Sequence, residues 1–143
     1  MTGIDRKHVL AGVAGIGLVL GSGLAVAAAA PGLTALARVE RGQWQLKEIG
    51  TNPETRTVCV RDPRILIHYG HDVAQCQHTV TVNDSNTTVI HYTCRGSHGQ
   101  TAVKVATPRS FNLDTQGIIN GAPFEDSFEA RYLGDCPSGA KPH

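Results

Sequence analysis

An excess of charge of either sign is absent from this sequence. Thirteen Lys and Arg stand against twelve Asp and Glu, and beyond residue 37 the two counts are equal at eleven. So neutral a domain has no electrostatic footing on nucleic acid or on an anionic membrane surface. Close cysteine pairs are absent as well: Cys59, Cys76, Cys94 and Cys136 are separated by 17, 18 and 42 positions. That spacing lacks the C-x-x-C of redox thiols and of close-pair zinc sites. No G-x-S-x-G elbow, H-E-x-x-H pair or phosphate-cradling glycine loop occurs. Hydrolase and nucleotide chemistry therefore lack their usual carriers. Past residue 37 there are no repeats and no low-complexity runs.

What is present begins with an address. Arg6 and Lys7 precede residues 9–30, which are 22 uncharged positions built almost wholly from Ala, Gly, Val and Leu. A basic start, an apolar stretch and a small-residue end are the layout of a secretory signal peptide. Pro31-Gly32 breaks the run, and Ala35-Leu36-Ala37 follows as an A-x-A site. The expectation is a signal peptide over 1–37, cut before Arg38, with Ala25-Val26-Ala27 as the second choice. A retained anchor is the alternative, because 22 residues are long enough to span a bilayer; the Ala and Gly content makes the stretch weakly apolar for that purpose. Cleavage implies a periplasmic or secreted protein with no membrane span afterwards. No cysteine lies near the cut, so lipidation there is excluded.

About 106 residues then remain, enough for one domain (38–143) with a single modest core. Val, Ile and Thr supply 26 of them, the sole Met is Met1, and short alternating runs recur between turn residues. That is the pattern of an all-β domain. Strands are expected around Trp44, over 57–60, 77–83 and 87–94, from Thr101 to Val105, around Phe111 to Ile119, and around Phe128 to Tyr132. Turns are expected at Asp84-Ser85-Asn86, Gly96-Ser97-His98-Gly99 and Asn120-Gly121. Asp62-Pro63 reads as an N-cap and first position of a short helical turn. Together these predict a curved antiparallel meander or incomplete barrel of about seven short strands, with one helical turn and two disulfides.

In the 77–94 hairpin, pairing Asn83 with Thr87 sets His78 opposite Tyr92, Val80 opposite Ile90 and Cys76 opposite Cys94. One face would then carry His78, Val80 and Val82 into the core. An even cysteine count in a small exported domain reads as two structural disulfides. The expected pairing is Cys59–Cys76 with Cys94–Cys136, because 62–75 looks like an excursion closed by its flanking cysteines. The alternative, for which the hairpin register argues, is Cys76–Cys94 with Cys59–Cys136.

The order of these landmarks resembles a family. A Gly-x-Trp opening strand (Gly42-Gln43-Trp44), Cys59 followed by Asp62-Pro63, Cys76 and Cys94 bracketing a Thr/Val hairpin, and a terminal Gly134-Asp135-Cys136 are similar to the domain-of-unknown-function 3617 family of small exported bacterial proteins. The resemblance covers 41–136. Members often have an acidic residue after the opening Trp, where this chain has Gln45. The family has no assigned activity and implies compartment and fold, not catalytic residues.

No catalytic set assembles from the sequence. Ser97 and His98 are neighbours that point apart. Glu125 and Glu129 would lie about 13 Å apart along a strand, too far for paired acid–base work. His68 and His71, three apart, are the one histidine pair able to share a helical face and hold Zn or Cu. His78 reads as a buried imidazole, with His91 on the opposite face. The expected function is thus a non-enzymatic binding or structural module without a cofactor. Trp44, Tyr92, Phe128 and Tyr132 are candidates either for the core or for the wall of an apolar groove, which would take a small hydrophobic ligand or an envelope protein. Metal binding through His68 and His71 is the alternative.

Overall fold

A computed structural model describes residues 32–69 and 76–139. The compact unit to which they belong runs Pro31–His143. Its described residues form one open sheet of seven antiparallel strands: β1 (Gly42–Glu48), β2 (Thr55–Val60), β3 (Gln77–Asn83), β4 (Thr87–Cys94), β5 (Ser97–Thr107), β6 (Ser110–Ile119) and β7 (Ala122–Gly134). Two 3-10 turns accompany them, an N-terminal turn at Leu36–Arg38 and a connecting turn at Pro63–His68. The all-β expectation with one short helical turn after Asp62 is met. Spatial order refines it: β2-β1-β7-β6-β5-β4-β3. The meander runs from β3 to β7 only, and the β1–β2 hairpin joins it at β7. Strands β2 and β3, consecutive in sequence, therefore form opposite edges.

Turn chemistry explains the long central hairpins. Asn120 (φ 51°) and Gly121 (φ 82°) both take left-handed backbone, the requirement of a two-residue I′ turn. The Asp84 carboxylate accepts from the backbone N–H of Asn86 (2.8 Å) and Thr87 (2.7 Å), closing β3 onto β4. Between β4 and β5 only Arg95-Gly96 turns, with Gly96 at φ 82°. The expected four-residue turn through Gly99 is not formed, because Ser97–Thr107 is all strand.

Gly99 serves a different need. It faces Gly117 across β5 and β6. A Cβ on either would run into the backbone of the facing strand, at Gln116 O for Gly99 and at His98 O for Gly117. The Tyr92 hydroxyl stands 2.5 Å from where a Gly99 Cβ would be. Such glycine pairs let a sheet bend where side chains would hold it open.

The bend is large. Neighbours His68 and Tyr69 reach different strands: His68 meets His78 on β3 at 4.7 Å between ring centroids, and Tyr69 meets Phe128 on β7 at 5.1 Å. On a flat sheet β3 and β7 are four steps apart, about 19 Å. The sheet is therefore curled, and its inner face wraps the two 3-10 turns.

That inner face is the core. Trp44 and Leu46 of β1, Val103 and Val105 of β5, and Phe111 and Leu113 of β6 are fully or almost fully buried. Ala35, Leu36 and Val39 from the N-terminal segment and Leu66 and Ile67 from the connecting turn belong to the same cluster. Trp44 stacks at 4.7 Å on Phe111 in a tilted arrangement, and its Nε1 donates to Glu40 O at 3.0 Å. The connecting turn starts on its expected cap. The Asp62 carboxylate accepts from the Arg64 N–H at 3.0 Å, and the Arg64 guanidinium holds it at a pKa of about 2.

Strand β3 departs from expectation. Its register with β4 opens as anticipated, His78 with Tyr92 and Val80 with Ile90. A bulge then intervenes, so Val82 faces Val89 and Asn83 faces Thr88. Strand side chains alternate in direction, so this puts Val82 on the opposite face from His78 and Val80. All of β3 is exposed, Val80 by 45% and Val82 by 38%. The expected buried face, and the buried His78, are thus not formed, because β3 is an edge strand paired on one side only and the His68 ring that meets His78 does not cover it.

The disulfides are Cys59–Cys136 and Cys76–Cys94, with Cα separations of 5.5 and 4.2 Å. The pairing of Cys59 with Cys76 is overturned by topology. The chain after Cys59 does not loop back but crosses to the far edge, where the hairpin register sets Cys76 beside Cys94. Gln43 of β1 pairs with both Cys59 and Gly134, which brings Cys136 next to Cys59. On the chain-entropy account these loops of 77 and 18 residues contribute about 4.5 and about 3 kcal/mol.

The close approach at Gly99 makes a sharp expectation. Gly99→Ala should lower stability in urea by about 1–3 kcal/mol through overpacking, whereas the same change at exposed Gly50, with nothing within 4 Å, should leave it nearly unchanged.

Candidate functional site

Cross-strand pairing assembles one polar row on the outer face of the sheet. His91 on β4 pairs with Gln100 on β5, Gln100 with Gln116 on β6, and Gln116 with Glu125 on β7. Residues directly opposite one another share a face, so these four side chains stand side by side over about 14 Å. Two residues along each strand, His98 and Ile118 form the next row. His91, His98, Gln116, Ile118 and Glu125 are exposed, and Gln100 is half-buried. Together they line a shallow depression of about 450 Å³, with Gly99 and Gly117 between them.

The chemistry of the depression is mostly neutral. Two carboxamides and two imidazoles offer donors and acceptors in fixed order, one carboxylate closes the row, and Ile118 adds apolar surface. Such a surface can hold a ligand by hydrogen bonds. Nothing in it resembles a nucleophile with a base. Ser97 and His98 are adjacent on β5 and point to opposite faces. Glu125 and Glu129 both lie exposed on β7, four residues apart.

Beneath this row the inner face carries a second set. Tyr92 is buried, and its hydroxyl hydrogen-bonds Thr115, whose Oγ1 lies 3.3 Å from that of Thr101. Burial pushes the Tyr92 phenol above its ordinary pKa, and the Thr115 bond opposes that rise. Burial likewise raises Tyr132, helped by the carboxylates of Asp135 and Glu40.

The four aromatic candidates do not line an open groove. Trp44, Tyr92 and Phe128 are buried inside the sheet. Tyr132 is half-buried, packing edge-on against Trp44 at 5.6 Å with the Arg109 guanidinium 5.2 Å above its ring. Of the histidine pair, His68 lies half-buried on the connecting turn against His78, while His71 falls outside the described residues. Among the described residues no three His, Cys, Asp or Glu side chains group to hold a metal ion. Neither Gln100 nor Gln116 stands out in the sequence, since each is only a polar position in an alternating strand. Their alignment with His91 and Glu125 exists only through the pairing of four strands.

No family model, no curated protein and no solved structure matches this chain.

A raised phenol pKa has a definite sign. The folded state holds the Tyr92 proton more tightly than the unfolded chain, so that share of stability is intact below about pH 10 and is lost as pH rises further. Tyr92→Phe should cost about 1 kcal/mol at neutral pH through the lost Thr115 bond. Thermal melts from pH 9 to 11.5 should fall less steeply for the variant than for the parent, with Tyr132 supplying the remaining decline.

Proposed function

We propose that this protein is an exported, disulfide-stapled β domain that acts by binding rather than by catalysis, and that its binding face is the depression over β4 to β7. The observation that carries this reading is the cross-strand row His91, Gln100, Gln116 and Glu125, a set of hydrogen-bonding side chains converging on one depression. Two disulfides belong to an oxidising compartment. Among the described residues no helix is long and apolar enough to cross a membrane. The disulfides support export, and with the leader-like residues 9–30 they favour the periplasm or the medium. The resemblance to the domain-of-unknown-function 3617 family points to the same compartment.

Ligand class follows from the lining. Carboxamides, imidazoles and a carboxylate hydrogen-bond hydroxyl groups, and Ile118 offers apolar contact to ring C–H faces. A neutral saccharide meets both demands, and a volume near 450 Å³ is of disaccharide size. An apolar ligand is disfavoured because the large aromatics are consumed by the core.

Titration of isotopically labelled protein with maltose and with chitobiose, followed by amide chemical shifts, tests this. One of them should shift resonances around His91, Gln100, Gln116 and Glu125, and Gln116→Ala should weaken binding about tenfold, the loss of one good hydrogen-bonding side chain. Shifts confined to other faces, or none at millimolar sugar, would remove the reading.

A further inference from the structure

We infer that export processing cuts this chain ahead of Gly32, at the Ala25-Val26-Ala27 site and not after Ala37, so that residues 32–39 stay on the mature domain as the plug of its curled sheet. The inference rests on the export reading above and adds to it the position of the mature N-terminus.

The residues on either side of the Ala37 site are built into the fold. Ala35 and Leu36, the first two positions of that A-x-A motif, are 0% and 1% exposed, and Val39 just beyond it is 4%. They share one cluster with Trp44 and Phe111, and Leu33 packs against it. Backbone bonds close the turn itself, from Ala37 N to Leu33 O and from Val39 N to Leu36 O. The far side of the domain grips the same segment. Asn83, at the end of β3, donates through Nδ2 to Gly32 O at 3.0 Å and accepts from Thr34 N at 2.8 Å. Arg38 donates to Ser85 O at 2.8 Å and to the Asn86 side chain. Glu40 N donates to Pro108 O at 3.0 Å, and the Glu40 carboxylate meets Arg109.

A cut after Ala37 would discard Ala35, Leu36 and both bonds to Asn83. It would uncover the inner face where Ala35 and Leu36 pack, and cavities of that kind are costly to a small core. The upstream A-x-A site satisfies the same small-residue requirement and leaves residues 32–39 in place. Ala37 is itself exposed, so its smallness is not needed for packing.

The experiment is export of the full chain by a bacterial host, with intact mass and N-terminal sequence read on the soluble oxidised protein, for the parent and for Ala37→Phe. The parent should begin at Ala28, and any start up to Pro31 preserves the plug. Ala37→Phe should be processed at the same bond, because position 37 lies ten residues beyond Ala27 and is exposed. A folded, doubly bridged protein that begins at Arg38, or an Ala37→Phe chain that is no longer cut, would overturn the inference while leaving export intact. Both chains retained in the membrane fraction with Met1 still attached would overturn the cleaved-leader reading, and this inference with it.

Discussion

A sheet curled this tightly has to be filled from within, and the filling comes from two short pieces of chain that are not strands. The N-terminal turn supplies Ala35, Leu36 and Val39, and the connecting turn supplies Leu66 and Ile67. Trp44 and Phe111 are buried only because those pieces cover them. Much else follows from that cover. The connecting turn can lie across the inner face only if β2 and β3 sit at opposite edges, which in turn forces β7 back beside β1. The Cys59–Cys136 bridge locks that return, and Cys76–Cys94 locks the far edge where the chain re-enters the sheet.

Filling the inner face also decides where function can reside. The aromatic side chains that an apolar groove would need are committed to the core. The surface left to meet a ligand is the outer face, where long central strands set polar side chains at regular spacing. The glycine pair that bends the sheet runs between the two rows of that depression. Curvature and the proposed binding surface thus share one cause. Strand β3 stands apart from both. It is uncharged, wholly exposed and bulged, and bulges are among the devices that discourage further strand pairing at an edge.

Much of this was legible in the sequence, and the reasons are local. Asn120-Gly121, Asp84 and Asp62-Pro63 carry their conformations in their own chemistry, so the turns and the cap could be read directly. Alternation carries the hairpin register, which sets Cys76 by Cys94, but loop closure points to Cys59–Cys76, and the expected pairing built on it is wrong. What could not be read is whatever depends on strand order. Nothing in 61–75 says that the chain crosses the sheet, and nothing in Gln100 or Gln116 says that four strands will align them. The bulge that turns Val82 outward leaves no mark in a run of alternating Thr and Val. Gly99 reads as a turn residue because a glycine needed for close approach and one needed for a left-handed turn are the same letter.

The dependence of the sheet on its plug is tested most directly at one side chain. Leu36 is almost fully buried, so Leu36→Ala should lower the free energy of unfolding in urea by about 2–4 kcal/mol with an unchanged slope. A loss within about 0.5 kcal/mol, the range of a surface substitution, would mean that the N-terminal segment merely rests on the sheet and that the core is closed without it.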